Sequence, residues 1–373
     1  MNMAAQPLTA AAITPRAAGF RMPAEWEPQA GCWMAWPERP DTWRLGAKPA
    51  QAAFARLANT IARFEPVTML ASARQWANAT RHLDAGVRVV EMTTDDAWLR
   101  DTGATFLVDE AGHLGGVDWQ FNGWGGLSGG LYFPWDADDA VAAKMLGLER
   151  ARHFRAPLVN EGGAIHVDGE GTVITTCACL LNPNRNPDLA RADVEAILGD
   201  HLGIDTVIWL RDGVPDDMTG GHVDNLACFV APGVVLLSWC DDPADPHYAV
   251  SREAEGRLLA ARDAKGRPIR VERMPMPTPM FLTAEEASGL DRTNPKLSSA
   301  PGERLAASYV NFLIVNGAVI VPAFGVPTDA AAEAILTGLF PTHEIVMLPS
   351  REILLGGGNI HCVTQQQPAV ARG

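Results

Sequence analysis

NFLIVNGAVIVPAF, residues 311–324, sets two runs of apolar and β-branched residues on either side of Asn316-Gly317, the dipeptide that a two-residue hairpin turn favours. Just downstream, TDAAAEAILTGLF from Thr328 spaces its apolar residues at the helical period, and HEIVMLPS from His343 reads as a further strand. The order is hairpin, helix, strand. It recurs with GATFLVDEAGHLGGVDW (turn at Asp109–Gly112), AIHVDGEGTVITTC (turn at Asp168–Gly171) and NLACFVAPGVVLLSW (turn at Pro232–Gly233). These lead into helical stretches from Asp138, Asp188 and Ser251 and strands from Ala151, Asp205 and Pro268. A further helix from Gln51 and strand from Pro66 belong to a unit whose hairpin is split. GCWMAWPERPDTW from Gly31 supplies one half and GGGNIHCVTQQ from Gly356 the other, so the two ends of the chain close a ring. Asp188, Ser251 and Thr328 are the expected helix N-caps.

Units of ~60–75 residues are longer than most solenoid repeats. The expected architecture is therefore an α/β five-bladed, pseudo-fivefold propeller of ββαβ units. It forms one domain over residues 21–367, with a loose tail at 1–20 and a short one at 368–373.

Hydrophobic residues make up 47% of the 373-residue chain and charged ones 20%, which describes a globule with a generous core. The Ala-rich opening, broken by Pro7 and Pro15, lacks the plan of a secretory signal, and no run is apolar enough to span a membrane. Six cysteines without framework spacing fit a reducing, cytoplasmic setting. A net charge of −14 argues against nucleic acid and permits a cationic partner.

Each unit aims a polar cluster at the ring's axis: WLRDTG with Asp101, NEGG with Glu161, GGHVDN with His222 and Asp224, ASYVNF with Asn311, and GGGNIHC with Cys362. On an extended strand His222 and Asp224 share a face, whereas Arg100 points away from Asp101 and His361 away from Cys362. Three carboxylates in one pocket repel one another unless something positive sits among them. A guanidinium substrate supplies that charge, with five N–H donors for two carboxylates to clamp and a central carbon open to a thiol. The thiol of Cys362 needs help to ionise; protonated His222, the cationic substrate and backbone N–H groups of Gly356–Gly358 all favour the thiolate. A lone cysteine is usually core filler, the reading for Cys32, Cys177, Cys179, Cys228 and Cys240. A zinc site built from Cys177 and Cys179 with His222 or His361 lacks the paired spacing of structural zinc. FNGWGGLSGG, Phe121 to Gly130, joins no strand to a helix start, so it reads as a lid or substrate-tail loop rather than a phosphate loop.

Taken in order, MPAEWEPQAGCWMAWPERPDTWRLGAKPAQ, WLRDTG, FNGWGG, NEGG, LLNPNRNP, GHVDN and GGGNIHCVTQQ resemble the agmatine deiminase group of the guanidine-modifying, or pentein, superfamily, over nearly the whole chain from Met22. The resemblance implies hydrolysis of agmatine to N-carbamoylputrescine and ammonia without metal or organic cofactor, in a homodimer. It assigns Cys362 as nucleophile, His222 as general acid and base, Asp101 and Asp224 as the guanidinium clamp, Glu161 as support and Trp98 as a pocket wall. The acidic pair Asp216 and Asp217 matches relatives that handle agmatine, which makes Asp217 a candidate for substrate binding beside Gly358; Met218 and Gly220 depart from their more polar pattern. Deimination of a peptide-terminal arginine, amidino transfer and a non-catalytic guanidine-binding scaffold are the rival readings.

Overall fold

The computed structural model describes residues 13–294, 296–297 and 300–370. Most of the expected N-terminal tail and the last three residues lie outside them. Residues 14–20 do not: Arg16–Ala18 form a 3₁₀ turn, Phe20–Arg21 pair with Thr105–Asp109, and Phe20 packs edge-on against Phe154. A buried aromatic anchors what the alanine-rich composition suggested was loose. At the other end, Pro368 belongs to the last strand, Thr364–Pro368.

The fold is mixed α/β, and its strands form five small sheets. In each, an antiparallel hairpin-type pair is extended by a parallel strand. Leu313–Val315 pairs antiparallel with Ala318–Ala323, and the helix Thr328–Leu339 carries the chain to Glu344–Pro349, which runs parallel to Ala318–Ala323. The same plan holds for Thr105–Asp109, Leu114–Gln120 and Arg152–Val159; for Ile165–Val167, Thr172–Thr176 and Thr206–Leu210; and for Ala227–Ala231, Val234–Trp239 and Arg270–Pro275. The fifth sheet joins the two ends of the chain: Thr364–Pro368 lies antiparallel to Gln29–Ala35, followed by Val67–Ala71 and Arg88–Glu91 in parallel. The split unit is thus completed as its sequence halves suggested.

The helix starts differ from expectation. Ser251 lies inside the helix His247–Ala260, and its hydroxyl donates to the Tyr248 carbonyl; the acceptor at that start is Asp245, which takes the His247 N–H. The helix expected from Asp188 begins at Arg191, where Asp193 reaches back to the Ala190 N–H. Thr328 is the first helical residue rather than the cap. In each case a carboxylate, the stronger acceptor, takes the backbone donors near the start.

Apolar side chains fill the space between sheets and helices, and one core links Trp33, Met34, Phe54 and Leu57 to Leu313, Ile320, Ile360 and Val363. Among the described residues no helix is long and apolar enough to cross a membrane. Met34 is fully buried on the central strand of the closing sheet, opposite Thr364 and Met69. Met34→Ala should therefore cost about 2–5 kcal/mol, read as a lower urea midpoint at unchanged slope.

Candidate active site

The side chains predicted to meet arrive on tight turns rather than on strands. Leu99–Thr102 is one helical turn, so the alternation expected for Arg100 and Asp101 does not apply. The Arg100 guanidinium is buried beside Glu25, at 3.4 Å, and its Nε donates to the His361 carbonyl. Asp101 accepts from the Gly163 N–H through Oδ1 and from the Trp124 indole N–H through Oδ2, both at 2.9 Å. His222 precedes a 3₁₀ turn, Val223–Asn225, that carries Asp224, so the strand face proposed for the pair is replaced by a turn that still delivers both.

Gly163 marks where they converge. A β-carbon on it would fall 2.6 Å from His222 Nδ1, 2.9 Å from Asp224 Oδ2 and 3.0 Å from Asp101 Oδ1, so only a bare α-carbon fits among the three. His222 Nδ1 lies 3.8 Å from Asp101 and Nε2 3.5 Å from Glu161. Cys362 Sγ is 3.5 Å from Asp224 Oδ2 and receives the Asn311 amide N–H at 3.2 Å. Thiol, imidazole and three carboxylates therefore form one connected cluster, all buried.

Through Cys362 and Asp101 this cluster reaches a narrow cavity. Cys362, Asp101, Trp98, Trp124, Asn225 and Asp96 line it, with Tyr132, Leu131, Leu297, Met218 and Gly356–Gly358; among the described residues no lysine or arginine does. Trp98 stacks on Trp43 and donates its indole N–H to Asp96. A β-carbon on Gly358 would sit 2.6 Å from the Trp98 ring and 3.1 Å from Cys362 Sγ, so this glycine keeps the space between wall and sulfur open. Asp224 Oδ1 and Asn225 Oδ1 are buried acceptors with no hydrogen-bond partner among the described residues.

The charges are set by burial and by neighbours. Burial raises the Asp101 carboxyl to about 6, against the pull of His222. For Glu161 burial opposes ionisation, but the Arg185 guanidinium, with its Nε at 2.9 Å, and His222 bring it down to about 2. Burial likewise works against Asp224, and the His361 hydrogen bond and charge outweigh it, leaving the carboxyl below its usual range. Burial would neutralise His222, yet Asp101, Cys179 and Glu161 together hold it well above an ordinary histidine. The Cys362 thiol is pushed well up by burial and then by Asp224 and Asp101; the Asn359 N–H and the Asn311 amide pull the other way. Asn359, rather than the Gly356–Gly358 run, supplies the backbone donor.

Several residues fall outside the sequence reading. Arg185, from LLNPNRNP, provides the fixed positive charge that the sequence did not place. Trp124, in the glycine-rich loop, holds Asp101 at φ +61°, a left-handed backbone made possible by packing of its ring against Phe121 and Tyr132. His361, set aside as structural, bonds Asp224 Oδ2 through Nδ1 at 3.0 Å. Asp217 does not line the cavity: it accepts from the Thr219 N–H and hydroxyl and from the His222 N–H at 2.8 Å, and borders a neighbouring open pocket with Asp216, Lys296 and Arg304. Among the described residues two groups have metal-ligand spacing, Glu161–Cys179–His222 and Glu25–His166–His361. In each an arginine already faces the carboxylate, Arg185 in the first and Arg100 in the second. Cys177 belongs to neither and takes an N–H of Arg191.

Residues 21–368 match the Porphyromonas-type peptidyl-arginine deiminase family. An agmatine deiminase of Pseudomonas putida is 60% identical over 95% of this chain and 97% of its own length. One from Pseudomonas aeruginosa is 59% identical over the same shares. The solved agmatine deiminase of Enterococcus faecalis superposes with a TM-score of 0.94 at 44% identity, covering 96% of this chain and 99% of that one. A cysteine-to-serine variant of the C. jejuni agmatine deiminase with substrate bound superposes at 0.82, with 25% identity, covering 95% and 97%. With its family profile matched almost from end to end and its relatives matched over nearly their full length, the chain belongs to the Porphyromonas-type peptidyl-arginine deiminase family.

Proposed function

We propose that the chain is an agmatine deiminase, a hydrolase that converts agmatine and water to N-carbamoylputrescine and ammonia in the cytoplasm, on the route to putrescine and other polyamines. The observation that carries this reading is a thiol that lines one cavity with Asp101 and lies 3.5 Å from Asp224, with no basic lining residue among the described residues. We take residues 21–367 as a single catalytic domain whose five sheets stand as blades about a pseudo-fivefold axis, and the working form as a homodimer.

The substrate enters as a cation. Asp101 and the free Oδ1 of Asp224 take guanidinium N–H groups, Glu161 supports it from the Arg185 side, and Trp98 and Gly358 shape the slot beside the sulfur. The arriving charge offsets the carboxylates that hold the Cys362 proton in place, so binding itself favours the thiolate. The thiolate attacks the guanidinium carbon and forms the C–S bond. Protonated His222 hands its proton to the departing nitrogen, the C–N bond breaks and ammonia leaves. An S-alkylthiouronium remains on Cys362. Neutral His222 then takes a proton from water, which attacks the same carbon; the C–S bond breaks and the ureido product departs. Asp96, the other cavity carboxylate, and the ring faces of Trp98 and Tyr132 suit the ammonium tail better than the zwitterion of arginine. Asp217 acts on this reading through the loop that holds His222.

Cys362→Ser should abolish ammonia release from agmatine while leaving the melting temperature within a few degrees of the parent; turnover by the variant would remove Cys362 as nucleophile. Free arginine should be processed at least ~100-fold less efficiently than agmatine by kcat/KM, since its carboxylate meets no basic partner in the cavity. The clamp needs Asp101 ionised, and the group is protonated below about pH 6 in the free protein. The kcat/KM profile should therefore fall on the acid side with an apparent pKa near 6; the kcat profile should fall at lower pH, because bound cation favours the carboxylate. Coincident acid limbs would contradict this assignment.

A further inference from the structure

Behind Asp224, away from the cavity, lies a second buried group of charges that the reaction outlined above does not touch. Its members are Glu25, His361, His166 and Arg100, all nearly inaccessible to solvent. His361 stands between two carboxylates: Nδ1 is 3.0 Å from Asp224 Oδ2 and Nε2 is 2.8 Å from Glu25 Oε1. Carboxylate oxygens only accept, so both contacts become hydrogen bonds when each ring nitrogen carries a proton. Arg100 Nη1 lies 3.4 Å from the same Glu25 oxygen. His166 Nδ1 accepts the Phe229 N–H, which leaves its other nitrogen as the donor facing Glu25 Oε2 at 3.6 Å. The row from cavity to interior thus reads carboxylate, imidazolium, carboxylate, guanidinium, with alternating sign. His361 also stacks over His166 at 6.2 Å. Two backbone bonds tie the row to the nucleophile: the Arg100 N–H donates to the Cys362 carbonyl, and Arg100 Nε to that of His361.

We propose that Glu25 and His361 are positioning residues for the deiminase reaction: Glu25 holds His361 as a donor through both ring nitrogens, and His361 in turn fixes Asp224 Oδ2 beside the Cys362 thiol, leaving the unpartnered Oδ1 for the guanidinium. The inference rests on the deiminase reading. With one oxygen anchored, the carboxylate cannot rotate both oxygens onto the thiol side, and the charge on His361 limits how strongly Asp224 opposes ionisation of Cys362. The groups facing His361 are Asp224, Glu25, Arg100 and His166; those around Asp224 are His361, His222, Asp101, Arg100 and Cys362. Among them, burial and Arg100 disfavour the His361 proton, while Glu25 and Asp224 hold it. Removing the Glu25 charge leaves Arg100 unopposed on that side, so the His361 proton is lost at lower pH. Neutral His361 then leaves the full Asp224 charge against the thiol.

The test uses the full-length protein and three variants, Glu25→Gln, Glu25→Asp and His361→Asn. In histidine-¹⁵N-labelled protein the signal that disappears in H361N belongs to His361. It should show a proton on both ring nitrogens at pH 7 in the parent and lose one in E25Q at least one pH unit earlier on raising the pH. A neutral ring in the parent at pH 7 overturns the proposal whether or not agmatine is turned over. For agmatine hydrolysis, E25Q should lower kcat/KM about 10- to 100-fold and move the alkaline limb down by at least one pH unit. E25D, which keeps the charge, should recover most of both. Adding E25Q to H361N should change kcat/KM less than twofold, because the two act in series. A lower melting temperature in E25Q with an unmoved pH profile, or independent losses in the double variant, would make the pair merely structural. If the parent releases no ammonia from agmatine, the deiminase reading fails instead, and the ring-proton measurement still decides what Glu25 does to His361.

Discussion

A carboxylate taken out of water stays ionised only where a positive charge or several N–H donors replace its hydration, and this constraint orders the centre of the molecule. Glu25, Asp101, Glu161 and Asp224 are all buried. Glu161 has Arg185, Glu25 has Arg100 and His361, and Asp224 has His361. Among the described residues Asp101 has only His222 at 3.8 Å and two N–H donors, and it is the one of the four whose carboxyl burial lifts above its usual range. Of these four acids three have a cationic partner in close contact, while Asp101 and the unpartnered Oδ1 of Asp224 are left for a visiting cation. Specificity for a positively charged ligand follows from that uneven allotment.

The same allotment keeps the resting thiol quiet. Burial and then the neighbouring acids Asp224 and Asp101 hold the Cys362 proton, and in the proposed reaction an arriving guanidinium is what releases it. Its neighbour Cys179, close to Glu161 and His222, is held as a thiol by burial and by the Glu161 charge, and it does not line the cavity that Cys362 reaches.

Much of this was legible in the residues because the repeat has strong local signals. Asn316-Gly317, the helical periods and the short apolar strands locate the units, and phase within the repeat brings Asp101, Glu161, His222, Asp224 and Cys362 together although long stretches of chain separate them. What local pattern could not convey was backbone form at the clusters themselves. WLRDTG and GHVDN read as strand ends but fold as single helical turns, which turns Arg100 inward to Glu25 instead of outward. The partners supplied from afar were equally hidden. Glu25 and Arg185 are ordinary charged residues in their own segments, and their roles arise from contacts 75 and 24 residues away. Trp124 had a visible clue, a tryptophan flanked by glycines at positive φ, but its indole bond to Asp101 depends on how that loop returns to the cavity. Asp217 carried the right charge in the right segment and spends it on the loop's own N–H groups.

The sheet that joins Gln29–Ala35 to Thr364–Pro368 has a consequence for biosynthesis. Trp33 and Gln367, linked side chain to side chain across it, are 334 residues apart. Synthesis runs from the amino end, so the strands of the other four sheets are all made before Thr364–Pro368 is available to pair with Gln29–Ala35. The sulfur at position 362 is likewise made after Asp101, Glu161 and Asp224, the acids that will surround it. A chain in synthesis therefore lacks the assembled cluster of thiol and acids until the late strand docks beside the early one.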